Sequence, residues 1–222
     1  MPAPRLTLFD LDHTLLSGDS DVLWCDFLIA QGVLDAQAFG ARNADVEARY
    51  QAGTIGVEEF SSFYVSTLAG RSPLQWEPLR RQYLAMQIAP RLPQVALDLV
   101  RGHRDAGDLV VLTSATNRFL TELTAGLLGI EHLIGTEPEL LDGVFGGRTT
   151  GVLNMREGKV TRLRQWLAGR GQALRDFHSR GYSDSMNDLP LLEAVDEPVA
   201  VDPDARLAAL AAERGWKVLR LR

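Results

Sequence analysis

The chain predicts an α/β fold, with a parallel-sheet core covered by helices on both faces and one all-helical insert. Two observations predict it. Short apolar runs of strand length alternate with helical patterns through the second half of the chain. Residues 19–88, by contrast, show helical spacing alone. Of the 222 residues, 45% are apolar and 23% charged, which excludes global disorder. The formal net charge of −6 gives no general pull towards nucleic acid or anionic lipid, and no Lys/Arg stripe offsets it.

The first element is the apolar run Arg5–Phe9, a buried strand that ends at Asp10. The insert follows as about four helices. Trp24, Phe27 and Leu28 mark one helical face, and Phe60, Phe63 and Tyr64 another. Gly32, Gly53 and Gly70 punctuate it, and Pro73 and Pro78 follow. Residues 95–106 read as helix, 109–112 as a buried strand, and 118–128 as a helix stopped by Gly129. Residues 133–135 suggest another strand. Asp142-Gly143 and Gly146-Gly147 signal a hairpin or loop excursion. Helix returns at 160–168 and 189–194, and strands are expected at 177–182, 198–201 and 216–219 around an Ala-rich helix at 204–214. The alternation makes the core Rossmann-like. Residues 1–17 and 89–222 form this expected core, and 18–88 the insert.

The only cysteine, Cys25, permits no intrachain disulfide and reads as a core thiol. No signal-peptide core or bilayer-length apolar run is visible, so the expected location is the cytoplasm.

Four segments carry chemistry. Asp10-Leu11-Asp12-His13-Thr14 follows the first strand, at the edge where open α/β sheets bind ligands. Crowding Asp10 against Asp12 costs repulsion, which a divalent cation with a taste for oxygen would offset. Ser183-Asp184-Ser185-Met186-Asn187-Asp188 supplies two more carboxylates between a strand and a helix. The same residues also suit a helix N-cap. Thr113-Ser114-Ala115-Thr116-Asn117 offers hydroxyls and backbone N–H groups where a strand enters a helix, as an N-cap or an anion site. Lys159 precedes a helix and by itself reads as a solvated ammonium.

Together and in this order, these segments resemble the haloacid dehalogenase superfamily of phosphatases. The helical insert resembles the phosphoserine-phosphatase branch, in which a helical cap closes over the site. The resemblance implies a Mg²⁺-dependent phosphomonoesterase acting on a small phosphorylated metabolite through an aspartyl-phosphate. Asp10 would be the nucleophile. Asp12 would protonate the leaving oxygen and then activate water. Metal ligands would be Asp10, Asp12 through its carbonyl, and Asp184. Ser114, Lys159 and Asn187 would hold phosphate, with Asp188 orienting Lys159 or a metal-bound water. Thr113 remains an alternative to Ser114. Ser183 and Ser185 stand where this branch often has glycine, which suits serine only with negative φ.

The insert is expected to choose the substrate. Asp19 matches the acid that meets the substrate amine in phosphoserine phosphatases, although it also suits the N-cap of the helix that follows. The expected helix at 57–68 contains no Lys or Arg, where related phosphoserine phosphatases place an Arg. The Asp19-Ser20-Asp21…Trp24 pattern resembles histidinol-phosphate phosphatases. By that resemblance Asp19 or Asp21 would pair with cations, and Trp24, Phe63 or Tyr64 would stack on an imidazole. His13 reads as a neighbour that tunes its loop, and His103, His132 and His178 show no zinc spacing. Phosphoserine hydrolysis, phosphotransfer to another acceptor, and a non-turnover regulatory module phosphorylated on Asp10 remain the rival readings.

Overall fold

The computed structural model describes residues 3–222, and every statement below concerns those residues. Strand β1 (Arg5–Phe9) is followed by the insert helices α1 (Ser20–Ala30), α2 (Ala36–Gln51), α3 (Val57–Ser66) and α4 (Pro73–Tyr83). The chain returns through a π-turn at Leu84–Ile88 and a 3₁₀ turn at Ala89–Arg91. It then runs α5 (Gln94–Asp105), β2 (Leu109–Asn117), α6 (Arg118–Leu128), β3 (His132–Leu141) and β4 (Val144–Thr150). The last third is α7 (Glu157–Gly169), β5 (His178–Ser183), α8 (Leu189–Ala194), β6 (Glu197–Val201), α9 (Ala205–Arg214) and β7 (Lys217–Leu219).

The strands form one sheet in the order β4-β3-β2-β1-β5-β6-β7, parallel except for the β3–β4 hairpin. Period-two alternation divides the core between the sheet faces. Leu6, Leu8 and Val111 face α7 and α8 through Leu163, Leu167 and Leu191. Phe9, Val110 and Leu112 pack with α5 and α6 through Val100, Leu120 and Leu128. The insert adds its own cluster of Val22, Cys25, Val46, Ile55 and Phe60, which reaches Ala115 and Met155 of the core.

Three local expectations change. β2 continues past Leu112 to Asn117, so the hydroxyl-rich segment is strand. β3 and β4 form a longer antiparallel ladder than the turn signals implied. α7 starts at Glu157, which puts Lys159 inside its first turn, buried rather than solvated.

Candidate active site

β1 lies between β2 and β5 and delivers Asp10 to the carboxyl edge of the sheet. The Asp10 N–H donates to Tyr182 O at 3.0 Å, which extends the ladder one residue beyond the strand. The chain then turns back, with the Leu15 and Leu16 N–H groups both donating to Leu11 O at 2.9 Å. His13 takes the left-handed region at φ 56° to make this turn. The turn brings the Thr14 hydroxyl to 2.8 Å from Asp10 Oδ2 and 3.1 Å from Asp184 Oδ1, and Thr14 Oγ1 accepts from the Asp184 N–H at 3.0 Å. Two carboxylates far apart in sequence thus meet at one hydroxyl.

Lys159 Nζ donates at 2.7 Å to both Asp10 Oδ1 and Asp188 Oδ2. The Ser183 hydroxyl also donates to Asp188 Oδ2, at 2.8 Å. Ser185 has φ −114°, and Ser183 likewise avoids positive φ, so serine fits this loop without strain.

The Asp12 carboxylate turns towards β2. Oδ1 accepts from the Ser20 N–H at 2.7 Å, and Oδ2 from the hydroxyls of Ser114 at 3.2 Å and Thr116 at 3.0 Å. Thr113 points away and accepts from Asn154 Nδ2 at 3.0 Å, so of these two adjacent hydroxyls Ser114 is the one that faces the Asp12 carboxylate. Asn154 is fully buried, and its amide also reaches Ser114 O and Ile134 O, each at 2.9 Å.

Among the described residues, no three carboxylate, imidazole or thiolate groups already converge tightly enough to hold a metal. The donor chemistry still fits a hard divalent cation. Asp10 and Asp184 present adjacent oxygens across Thr14, and such ligands suit Mg²⁺.

A family model described as haloacid dehalogenase-like hydrolase matches residues 7–193. The chain belongs to the haloacid dehalogenase-like hydrolase family. It is 41% identical over 220 residues to the histidinol-phosphatase of Neisseria meningitidis serogroup C, covering 98% of this chain and 99% of that one. It is 34% identical over 224 residues to phosphoserine phosphatase SerB1 of Mycobacterium tuberculosis, covering 95% of this chain and 68% of that one. A crystal structure of a protein of unknown function from Bordetella pertussis Tohama I superposes with TM-score 0.94 at 46% identity, over 99% of this chain and 100% of that one. A phospho-aspartyl intermediate analogue of phosphoserine phosphatase superposes at 0.71 with 15% identity, covering 99% and 94%, a likeness of fold.

In this haloacid dehalogenase-like hydrolase the charges are unevenly balanced. Lys159 meets only Asp10 and Asp188, while Asp184 adds its charge beside that pair and Asp19 and Asp21 lie near Asp12. Burial, helped by Asp188 and Asp12, raises Asp10 to about 7 even against the pull of Lys159. Burial and the charges of Asp10 and Asp188 raise Asp184 well above the usual carboxylate range. Burial opposes the charge of Lys159, but Asp10 and Asp188 outweigh it and raise its pKa.

Three expected substrate contacts lie in the packed interior instead. Trp24 is fully buried and stacks or edges against Phe27, Trp76 and Tyr83, and its indole N–H is spent on Thr67 Oγ1 at 3.1 Å. It is a packing residue, as its helical apolar spacing allowed. Phe63 and Tyr64 are likewise buried in the insert core. Asn187 donates its amide to Tyr50 O at 3.3 Å, which ties the insert to the core.

Asp19 caps α1, accepting from the Asp21 N–H at 2.9 Å and the Val22 N–H at 3.0 Å. It is buried, and burial with the charges of Asp12 and Asp21 raises its pKa well above the usual range. Asp21 is raised to about 8 by burial and by Asp12, against hydrogen bonds from Thr116 and Asn117.

One aromatic residue escaped the sequence reading. Tyr50, at the end of the inward face of α2 that carries Phe39, Asn43 and Val46, lines a cavity of about 240 Å³ with Asp12, His13 and Asp184. Its hydroxyl pKa is raised by burial and by Asp188, Asp10, Asp19 and Asp184. The helical stripe was visible in the sequence, but its position over the site depends on how α2 sits against the core.

Proposed function

We propose that this phosphoric monoester hydrolase is Mg²⁺-dependent and removes phosphate from histidinol phosphate. An Asp10 carboxylate oxygen bonds to phosphorus while the bond from phosphorus to the leaving oxygen breaks. Asp12 gives that oxygen its proton. Asp12 then takes a proton from water as the water oxygen bonds to phosphorus and the Asp10–phosphorus bond breaks, releasing inorganic phosphate. Ser114 donates to a phosphate oxygen. Lys159, fixed by Asp188, sits between nucleophile and phosphate and lowers the repulsion between the two anions. Asp10, Asp184 and the Asp12 carbonyl would hold the cation, which supplies neutralising charge to the phosphoryl oxygens.

Residues 18–88 act as the cap that selects the substrate. Histidinol phosphate carries cationic nitrogen and no carboxylate. Asp19 and Asp21, buried at the start of α1 beside the Asp12 carboxylate, suit its cations. α3 holds no Lys or Arg to receive the carboxylate of phosphoserine. The observation that carries the substrate is the end-to-end match, at 41% identity, to a histidinol-phosphatase. Among the described residues no helix is long and apolar enough to cross a membrane, and we place the enzyme in the cytoplasm with its metabolite substrate.

The test compares kcat/KM for histidinol phosphate, phosphoserine and 4-nitrophenyl phosphate with Mg²⁺ present and after chelation. A strong preference for histidinol phosphate that chelation abolishes is expected. A flat profile across the three substrates removes the substrate assignment, and undiminished turnover after chelation removes the metal.

A further inference from the structure

We propose that Thr116 is the positioning residue that fixes the Asp12 carboxyl for proton transfer. The inference rests on the reading of Asp12 as proton donor to the leaving oxygen, and it assigns a second residue to that task.

The argument begins with an irregularity in the sheet. Thr113 pairs with Ile134 and Asn117 with Thr136, so β2 advances four residues where β3 advances two. The two extra residues bulge β2 where Ser114, Ala115 and Thr116 pass the site, and bulges of this kind re-aim side chains. In a regular strand Ser114 and Thr116 would share one face but stand about 6.6 Å apart along it. Here both hydroxyls come within 3.2 Å of the same oxygen, Asp12 Oδ2. Asn154 fills the opened ladder, its amide reaching the carbonyls of Ser114 and Ile134.

The two hydroxyls are not equivalent. Each has one proton to give. When the Ser114 proton turns to a phosphate oxygen, Thr116 is left as the side-chain donor to Asp12 Oδ2 among the described contacts. Thr116 Oγ1 is held from the other side by the Ser20 hydroxyl at 3.1 Å, and its proton faces Asp12 Oδ2 at 3.0 Å and the neighbouring Asp21 carboxyl. Ser20 fixes the other end of the carboxyl, its N–H donating to Asp12 Oδ1 at 2.7 Å. Ser20 is itself held, its carbonyl accepting from the Tyr83 hydroxyl at 2.6 Å. The carboxyl plane is therefore clamped between the first residue of α1 and the bulge of the core. Thr116 is 1% exposed, so water does not readily replace it.

A proton donor matters most where the leaving group is a poor one. The test is the dependence of log kcat/KM on leaving-group pKa over a series of phosphate monoesters from 4-nitrophenyl to simple alkyl, for wild type, Thr116→Val, Thr116→Ser and Asp12→Asn. We expect Thr116→Val to lose about 10- to 100-fold on alkyl esters and no more than about threefold on 4-nitrophenyl phosphate, a steeper slope. Thr116→Ser, which keeps the hydroxyl, restores the wild-type slope. Thermal melting of each variant accompanies the kinetics, and if the valine variant fails to fold, Thr116→Ala takes its place. A uniform loss along the series, or no loss, overturns the proposal while leaving Asp12 in place if Asp12→Asn itself steepens the slope. If Asp12→Asn leaves the slope unchanged, the proton-donor reading and this proposal fall together.

Discussion

Lys159 Nζ and Asp10 Oδ1 lie 2.7 Å apart with both side chains almost wholly buried, so the proposed nucleophile has a cationic partner before any substrate arrives. The same ammonium is shared with Asp188 Oδ2 at 2.7 Å. Breaking a buried pair by removing one partner is costly, since the other charge stays behind in a poor solvent. Lys159→Met should therefore abolish turnover and destabilise the metal-free protein by about 3–5 kcal/mol near neutral pH. Urea denaturation measures this, and the loss should shrink in acid, where the stranded carboxyls take up protons.

Asp10→Asn keeps the shape of the side chain and removes the attacking oxyanion. Phosphate release should fall by at least about a thousandfold, while inorganic phosphate still binds. Steady-state assay and calorimetric titration read the two effects separately. Burst-only chemistry in wild type, without steady turnover, would favour a regulatory module instead.

The raised carboxyls make stability depend on pH with a definite sign. The folded chain holds protons on Asp10, Asp21 and Asp184 that the unfolded chain releases. That contribution is complete below the ordinary carboxylate pKa and is lost as pH rises through about 7 for Asp10 and about 8 for Asp21. The Tm of metal-free protein should thus fall from mildly acid to mildly alkaline pH. Mg²⁺ should raise Tm most at the alkaline end, because ionised ligands bind it best. Asp10→Asn should flatten the metal-free profile, and scanning calorimetry across the range checks both statements.

If Asp21 meets a cationic nitrogen, Asp21→Asn should raise KM for histidinol phosphate about tenfold or more, the size of a lost charge-assisted hydrogen bond. The KM for 4-nitrophenyl phosphate, which carries no cation, should hardly move. Equal changes in both would make Asp21 a structural acid.

A Cβ on Gly158 would meet Leu153 O at 1.9 Å, far inside contact distance. Gly158→Ala must therefore shift the turn before α7, and Lys159 is the next residue. A stability cost of about 1–3 kcal/mol is expected, together with a loss in kcat. Alanine at Gly169, which has open space around it, serves as the control for helix propensity alone.

The sheet and its ligand edge were readable from period and spacing. Asp10, Asp184, Ser114 and Lys159 stood at strand or helix ends, and the folded chain brings them together there. The β2 bulge was not readable, because two extra residues in a strand leave no mark until the partner strand is known. Burial of Lys159 was missed for a related reason, since its partners Asp10 and Asp188 come from distant elements. Trp24 was expected at the site and Tyr50 was not singled out, because both occupy apolar helical positions, and spacing says that a residue faces inward without saying which interior it faces. Asp19 fulfilled its capping reading, as its short side chain just before a helix predicted.

Cys25 is fully enclosed in the insert, and burial together with Asp26 and Asp21 pushes its thiol up to about 12. A thiol so reluctant to ionise reacts poorly with alkylating probes at neutral pH. As the chain has no other cysteine, a new one placed on exposed Leu74 of α4 or Leu141 of β3 would be the dominant reactive handle. Fluorophores or spin labels attached there would report whether the helical insert shifts when substrate binds, with no need to strip the natural sulfur first.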